Sequence, residues 1–228
     1  MPEAGGAAPG GPVLGLGDSI SCGPEEGAFG VPPRAWAQWL AEALDLPFHR
    51  LARAGAVAPD IAAGLLPRAR GDYALACVHV GTNDVRAPGW DPGAYAQALE
   101  TILATLAPRA QRLCVATLPL DLGRPRAGAK VAVLNAIVRA AAARHDAAVA
   151  GLDDLRGWRL VFPDAVHPTA LGQLEIAERA AAALGLAARP AAIAGVMRGP
   201  RADLRYALTR QPAHLLRDRR RRWAERAR

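Results

Sequence analysis

The sequence VLGLGDSISCG, residues 13–23, joins a short apolar run to a turn-forming segment. The run is typical of a buried strand, and Gly, Asp and Ser favour turns. Ser19 and Ser21 are the only serines in the chain of 228 residues, so serine is not a filler residue here. Ser19 is therefore either a turn residue or a nucleophile. A nucleophile needs a base, an acid that orients the base and donors for an oxyanion, and the rest of the sequence must supply them.

Downstream of this first run, short apolar runs alternate with longer stretches rich in Ala and Leu. The predicted strands cover residues 12–17, 48–52, 73–80, 112–118 and 147–152. The predicted helices cover residues 33–44, 59–69, 92–107, 129–145 and 169–184. Asp91 is predicted to cap the third of these helices. This alternation predicts an α/β fold with three α/β/α layers, in which helices cover both faces of a five-stranded parallel sheet.

In sheets of this kind, ligands bind in the crevice outside the carboxyl ends of the strands. The first three predicted strands end in segments that contain glycine, at residues 17–19, 54–56 and 81–84. Because neighbouring parallel strands end at the same edge of a sheet, these segments should meet. The sequence therefore predicts that Ser19 lies in such a crevice.

A second polar segment, FPDAVHPTALG at residues 162–172, precedes the last predicted helix. It contains Asp164 and His167, and this spacing lets the Asp164 carboxylate reach one imidazole nitrogen. The carboxylate would then fix the tautomer and stabilise the imidazolium, while the other nitrogen faces Ser19. The alternative for Asp164 is a role as the cap of the closing helix.

Four sequence blocks occur in the order in which the SGNH, or GDSL, hydrolases carry them, and the chain resembles that family over roughly residues 12–187. The blocks are GDS with Ser19, ARAGA with Gly55, GTND with Asn83, and DAVHP with Asp164 and His167. Each block alone is a weak signal, whereas the four together are specific.

The resemblance implies a serine hydrolase with a flavodoxin-like fold. Ser19 would be the nucleophile, His167 the general base and acid, and Asp164 the orienting carboxylate. The oxyanion donors would be the backbone N–H groups of Ser19 and Gly55 and the side-chain amide of Asn83. From the residues alone, Gly55 could also be a simple loop glycine and Asn83 a turn residue.

Three functions stay open at this point. The first is an esterase that works through an acyl-enzyme. The second is an acyltransferase or a thioesterase of a biosynthetic pathway, which would use the same triad with another acceptor. The third is a non-catalytic binding module on the same fold, and the complete set of Ser19, Asp164 and His167 argues against it.

Substrate recognition should come from the loops. Phe29 and Trp90 could line an acyl or leaving-group pocket, and Arg86 could meet an anionic group. The expected substrate is a small-molecule acyl ester, but neither its acyl chain nor its leaving group follows from the sequence. No set of Cys, His, Asp and Glu has the spacing of a metal site, so neither a metal nor a cofactor is expected.

The charge of the chain predicts its division into parts. Residues 196–228 hold eleven arginines against three acidic residues, whereas the other 195 residues hold 17 basic and 18 acidic residues. We therefore expect a flexible segment at residues 1–11, a hydrolase domain at residues 12–190 and a basic tail at residues 191–228. His214, within the tail, is expected on the surface.

The tail has three interpretations. It could be an interfacial helix on an anionic membrane, with Leu216 and Trp223 inserted, or a nucleic-acid patch, or a solvated appendage. The apolar face is short and is interrupted by Arg220, which favours the appendage. A tail of that kind should be dispensable for the chemistry.

The sequence also indicates a compartment. Nothing before Val13 has the pattern of a signal peptide, and no apolar run is long enough to span a bilayer. Cys22, Cys77 and Cys114 are odd in number, and the last two lie in strand-like runs, which favours free thiols. These observations favour the cytoplasm, and they do not address the oligomeric state.

Overall fold

A parallel sheet of five strands forms the centre of the protein in a computed structural model that describes residues 11–194 and 200–226. The strands are β1 Val13–Gly17, β2 Phe48–Ala52, β3 Leu75–His79, β4 Leu113–Ala116 and β5 Ala148–Ala150. Their order across the sheet is β2-β1-β3-β4-β5, which is the flavodoxin-like order. The predicted flexible segment at residues 1–11 lies, apart from Gly11, outside the described residues.

Ten α-helices accompany the strands in the described ranges. They are α1 Ser19–Cys22, α2 Trp36–Ala43, α3 Ala58–Asp60, α4 Thr82–Arg86, α5 Pro92–Leu106, α6 Ala129–Arg144, α7 Ala170–Ala183, α8 Pro190–Ile193, α9 Pro200–Thr209 and α10 Gln211–Arg226. Asp91 caps α5 as predicted, because its side chain accepts hydrogen bonds from two backbone N–H groups of the first turn. The short helices α1, α4 and α8 were not predicted.

Alternating side chains of the strands build two separate cores, one on each face of the sheet. Leu14 and Leu16 of β1 pack in the core that α5 and α6 cover. Val13 of the same strand packs in the opposite core, under α2 and α7. Because successive residues of a strand point to opposite faces, one apolar strand serves both cores. The predicted three-layer α/β/α fold is confirmed.

The predicted helix at residues 59–69 is broken into short pieces. After α3 the chain forms a π-helical turn over Ile61–Leu65 and a 3₁₀ turn over Leu66–Arg68. Pro59 lies in the first turn of α3, where a missing N–H does no harm. Pro67 lies inside the predicted helix, where it cannot donate the backbone hydrogen bond that a continuous α-helix needs.

The first three strands end level with one another. Gly17, the last residue of β1, is in register with Ala52 of β2 and His79 of β3, which are the last residues of those strands. The segments that follow the three strands therefore leave the sheet at one edge.

The helices α9 and α10, here called the C-terminal helix pair, pack against loops of the part of the chain that forms the sheet. Tyr206 and Asp218 are buried, and the His214 side chain is only 11% exposed. The expected surface position of His214 is therefore wrong. Its ring lies 4.7 Å from the ring of Phe162, and its Nε2 lies 2.8 Å from Glu26 Oε1.

Within the described parts of the chain, no helix has both the length and the apolar character needed to cross a bilayer.

Candidate active site

The junction of β1 and α1 holds Ser19 at the edge of the sheet. Asp18 is the N-cap of α1, and its Oδ1 accepts a hydrogen bond of 2.9 Å from the Ile20 N–H. Ser19 is half-buried and is the first residue of α1, where backbone N–H groups have no acceptor within the helix. Gly17 has no room for a side chain, because a Cβ there would lie 2.1 Å from the carbonyl oxygen of His79. The turn that presents Ser19 is thus fixed by a capping carboxylate and by a close approach of two strands.

Ser19, His167 and Asp164 form one continuous chain of hydrogen bonds. Ser19 Oγ lies 3.0 Å from His167 Nε2, although the two residues are 148 positions apart in the sequence. His167 Nδ1 lies 2.6 Å from Asp164 Oδ2. With the proton on Nδ1 shared with the carboxylate, Nε2 is free to accept the hydroxyl proton.

The turn between Phe162 and His167 orients the Asp164 carboxylate. Its Oδ1 accepts hydrogen bonds from the N–H groups of Val166, at 2.9 Å, and His167, at 3.1 Å. Burial works to raise the pKa of Asp164, but the hydrogen bond and charge of His167 and these two N–H groups together hold that pKa below its usual value. The carboxylate is therefore stabilised in its ionised form. The cap of α7 is Thr169, not Asp164.

The two other predicted oxyanion donors lie in neighbouring segments that are hydrogen-bonded to each other. Asn83, in α4, donates a hydrogen bond of 2.9 Å from Nδ2 to the carbonyl oxygen of Ala56. Gly55 has a φ of +79°, a conformation that other residues rarely adopt. Its neighbourhood is open, since no heavy atom lies within 4 Å of where a Cβ would be. The segment after β2 that contains Gly55 and the start of α4 after β3 are therefore in contact.

Asp84 also links these two segments by hydrogen bonds, a role that the sequence analysis did not assign. Its carboxylate oxygens lie 3.0 Å and 3.2 Å from the Ala58 N, which donates to them. Burial raises the pKa of Asp84 to about 6, against the opposing effect of these hydrogen bonds. The side chain is a buried acceptor that links α4, which carries Asn83, to the start of α3.

Gln173 is a second residue that the sequence analysis missed. It lies in α7 and is buried, and its amide donates 2.9 Å to the carbonyl oxygen of Ile20. Its Oε1 accepts from the N–H of Trp36 at 2.9 Å. Gln173 therefore joins the helix that follows the His167 turn to the helix that starts at Ser19. A buried amide inside an otherwise apolar helix face is the signal that could have identified it.

A buried polar pair lies next to Ser19 in the strand-to-helix junction, because Asp18 directly precedes Ser19 and interacts electrostatically with His79 at the end of β3. Asp18 and His79 are both buried. Burial raises the pKa of Asp18, partly offset by the charge of His79, and burial lowers the pKa of His79, partly offset by Asp18. Burial thus works against a charge on either side chain.

The residues predicted to contact substrate occupy different environments. Phe29 is buried, and its ring lies 4.2 Å from the ring of Tyr206. Trp90 is half-buried and lies 5.7 Å from the ring of Tyr95, whereas Arg86 is exposed at the end of α4. A contact of any of these residues with substrate stays a prediction.

Across the described residues, no group of three or more His, Cys, Asp and Glu side chains is arranged to hold a metal ion. The chemistry that the arrangement of Ser19, His167 and Asp164 can support is proton transfer from a hydroxyl to an imidazole. That is the first requirement for attack on an acyl carbon.

The sequence matches the model of the GDSL-like Lipase/Acylhydrolase family over residues 16–174. Among curated proteins, none matches the chain. Three solved structures share the fold with TM-scores of 0.63, 0.60 and 0.59. They are an α/β hydrolase enzyme, LAE5, from the metagenome of Lake Arreo, Spain, an acetylxylan esterase, Axe2, from Geobacillus stearothermophilus, and TesA.

These three structures are 21%, 17% and 20% identical to this chain, in the same order. The matches cover 78%, 78% and 75% of this chain and 97%, 96% and 97% of the other chains. At such identities the likeness concerns the fold.

Proposed function

Because the chain belongs to the GDSL-like lipase/acylhydrolase family and is therefore a carboxylic ester hydrolase, we propose that it cleaves a small acyl ester through an acyl-enzyme on Ser19. The observation that carries this proposal is the unbroken chain of hydrogen bonds from Ser19 Oγ through His167 to Asp164. A serine hydroxyl is a weak nucleophile until an adjacent base accepts its proton, and this geometry supplies that base.

The reaction would begin when Ser19 Oγ attacks the carbonyl carbon of the ester and His167 Nε2 takes the hydroxyl proton. Asp164 would stabilise the imidazolium that results. The new C–O bond forms as the carbonyl π-electrons move onto oxygen, which gives a tetrahedral oxyanion. His167 then returns the proton to the oxygen of the leaving alcohol as the ester bond breaks. Water repeats the sequence on the acyl-enzyme and releases the acid.

The oxyanion would be held by the N–H groups of Ser19 and Gly55 and by the amide of Asn83. A single donor of this kind contributes about 2.7–4 kcal/mol to the transition state in other hydrolases. Asn83 already donates one hydrogen to Ala56, which fixes the plane of its amide. Gly55 has no side chain that could obstruct the substrate, and its positive φ is one that other residues rarely adopt.

Hydrolysis is favoured over transfer to another acceptor by the exposure of the base. The His167 side chain is 37% exposed, so the base that must activate water borders on solvent. An acyltransferase needs water to be excluded at this point. A thioesterase would use the same residues, and only the leaving group would differ.

A panel of p-nitrophenyl esters with rising acyl length, together with a thioester and an acetylated sugar, tests the proposed function. One of the similar structures is an acetylxylan esterase, which is the reason for the acetylated sugar. Turnover of at least one ester by the wild type, and its loss in S19A, is expected. A folded wild-type protein that turns over none of them would contradict the proposal and favour the binding module.

The outer face of the C-terminal helix pair supports a second proposal, an association with anionic lipid. Five of the nine exposed large hydrophobic side chains in the described residues lie there: Leu204, Leu208, Leu215, Leu216 and Trp223. The run of arginines at positions 219–222 supplies positive charge beside them. Basic helices with exposed Leu and Trp bind anionic membrane surfaces.

Sedimentation with vesicles of anionic and of neutral lipid, at low and high salt, tests this association. Binding to anionic vesicles that weakens with salt and is lost in W223A is expected. Equal binding of the wild type and W223A to anionic vesicles would contradict this proposal. Binding of a nucleic acid in place of vesicles would also contradict it.

The cytoplasm remains the proposed compartment. Cys22, Cys77 and Cys114 are free thiols, and burial raises the pKa of both Cys77 and Cys114, which keeps these thiols protonated. Free thiols persist in a reducing compartment. Fractionation of the cells that make the protein would test this proposal, and recovery outside the cytoplasm would contradict it.

A further inference from the structure

The C-terminal helix pair contacts both of the segments that supply the proposed catalytic residues. One segment is the loop that follows α1 and thus follows Ser19. The other is the turn from Phe162 to His167. The face of the helix pair that makes these contacts contains Tyr206 and His214, while the opposite face is exposed.

On the side of the nucleophile, three contacts join the helix pair to the loop after α1. Arg210 Nη1 lies 3.0 Å from Glu26 Oε2, and His214 Nε2 lies 2.8 Å from Glu26 Oε1. The ring of Tyr206 lies 4.2 Å from that of Phe29. Phe29 has a φ of +56°, which is unfavourable for a residue with a bulky side chain, so its conformation depends on the packing around its ring.

On the side of the base, His214 packs against the residue that closes the catalytic turn. Its ring lies 4.7 Å from the ring of Phe162. The Phe162 N–H donates 2.9 Å to the carbonyl oxygen of His167, and the Phe162 carbonyl accepts from the Ala165 N–H at 2.9 Å. The backbone of Phe162 is thus hydrogen-bonded to two other residues, Ala165 and His167, of the turn that contains Asp164.

We propose that His214 is a positioning residue, which rests on the function proposed above for the site. The ring of His214, which packs between Phe162 and Glu26, supports Phe162. Phe162 in turn fixes the placement of His167 relative to Ser19. This proposal differs from the expectation, drawn from the sequence, that the tail is dispensable for the chemistry.

The variant should change the rate because proton transfer from Ser19 to His167 tolerates only a small displacement of either group. Ser19 Oγ and His167 Nε2 lie 3.0 Å apart, and the two residues reach this distance from separate loops. A misplacement of about 1 Å in a reacting group can cost about 100-fold in rate. Loss of the supporting ring should let the turn move by a fraction of that distance, for which we expect about a tenfold loss.

The test uses the full chain with the variants H214A, H214F and L216A. H214A removes the supporting ring, and H214F keeps an aromatic ring against Phe162 but loses the nitrogen near Glu26. L216A is the matched control, because Leu216 lies two residues further along α10 and is 58% exposed. H214L, which keeps bulk without an aromatic ring, replaces H214A if that variant is too unstable to assay.

The measurements are kcat and KM for a soluble ester that the wild type cleaves, and the rate and extent of labelling by a fluorophosphonate. For H214A we expect kcat and the labelling rate to fall about tenfold, with KM within about twofold and with every molecule eventually labelled. H214F should recover most of the rate, and L216A should equal the wild type.

Two results would overturn the proposal. One is an H214A or H214L protein that is labelled at the wild-type rate, or in which only the labelled fraction falls while the rate per site is unchanged. The other is an H214F protein that is as slow as H214A, since the ring would then have no role. Failure of the proposed function is a separate result, because it would appear as labelling or turnover in S19A.

Discussion

Replacing Asp164 by asparagine should remove most of the esterase activity while the fold is kept. Asp164 Oδ2 lies 2.6 Å from His167 Nδ1, and Oδ1 accepts the N–H groups of Val166 and His167. An asparagine can keep its oxygen on these two backbone groups. Its NH₂ group would then face Nδ1 and donate to it, so that the imidazole proton moves to Nε2. An Nε2 that carries a proton cannot accept one from Ser19.

The size of the loss follows from the charge that D164N removes. The half-exposed His167 keeps the local dielectric high, so an effective value of about 20 applies, and two unit charges about 4 Å apart then interact by about 4 kcal/mol. That energy acts mainly on the imidazolium of the transition state and corresponds to about a thousandfold in kcat. The wrong tautomer adds to this loss, so kcat should fall by about 10³- to 10⁴-fold with KM changed little.

The assay is steady-state hydrolysis of a soluble ester by the wild type, D164N and D154N. D154N is the matched control, because Asp154 undergoes the same chemical change and its side chain is 77% exposed, where it pairs with Arg179. D154N should keep the activity of the wild type within about twofold, as expected for an exposed ion pair. A folded D164N protein with more than about a tenth of the wild-type kcat would refute the reasoning, since the Asp164 charge would then not act on the transition state.

Three further predictions concern the same site. N83A should lower kcat by about 10²- to 10³-fold and leave KM within a few-fold, because the amide acts on charge that develops in the transition state. A change in KM alone would show that Asn83 binds the substrate instead. In a profile of kcat/KM against pH, activity should fall on the acid side, because only a neutral His167 accepts the Ser19 proton; a profile that stays flat far into the acid range would count against a histidine base. Burial raises the pKa of Asp84 to about 6, so its contribution to stability is present at low pH and is lost as the pH rises through that value. D84N should therefore gain about 1–3 kcal/mol in the free energy of unfolding relative to the wild type between about pH 4 and about pH 7. Urea titrations at both pH values measure this gain, and a constant difference between the two proteins would contradict it.

The sheet could be predicted from the sequence because its signals are local. β2 has the predicted bounds, and the other four strands lie inside the predicted ranges. An apolar run flanked by Gly or Pro indicates a strand, and the rule for carboxyl ends then places Ser19 at the correct edge. The segments that contain Ser19, Gly55 and Asn83 were expected to meet for this reason. The contact of His167 with Ser19 was expected separately, from the spacing of Asp164 and His167, and His167 does contact both Ser19 and Asp164.

The packing of the C-terminal helix pair could not be predicted, because its sequence is dominated by arginine. Asp218 is buried although it lies between arginines, since it pairs with Arg222 at 2.7 Å. His214 is covered by Phe162 and by Glu26, which are distant in the sequence, so no local pattern reveals it. The same holds for Gln173, whose two partners lie in other helices. Contacts of this kind depend on the tertiary structure.

The most direct test of the central claim is the site of covalent modification by a fluorophosphonate, mapped by mass spectrometry in the wild type, S19A and S21A. Ser21 is the only other serine, and it is buried with its Oγ near the His79 carbonyl oxygen, so S21A is the matched control. We predict one adduct, on Ser19, in the wild type and in S21A, and none in S19A. An adduct on any other residue, or labelling that persists in S19A, would contradict the claim that Ser19 is the nucleophile.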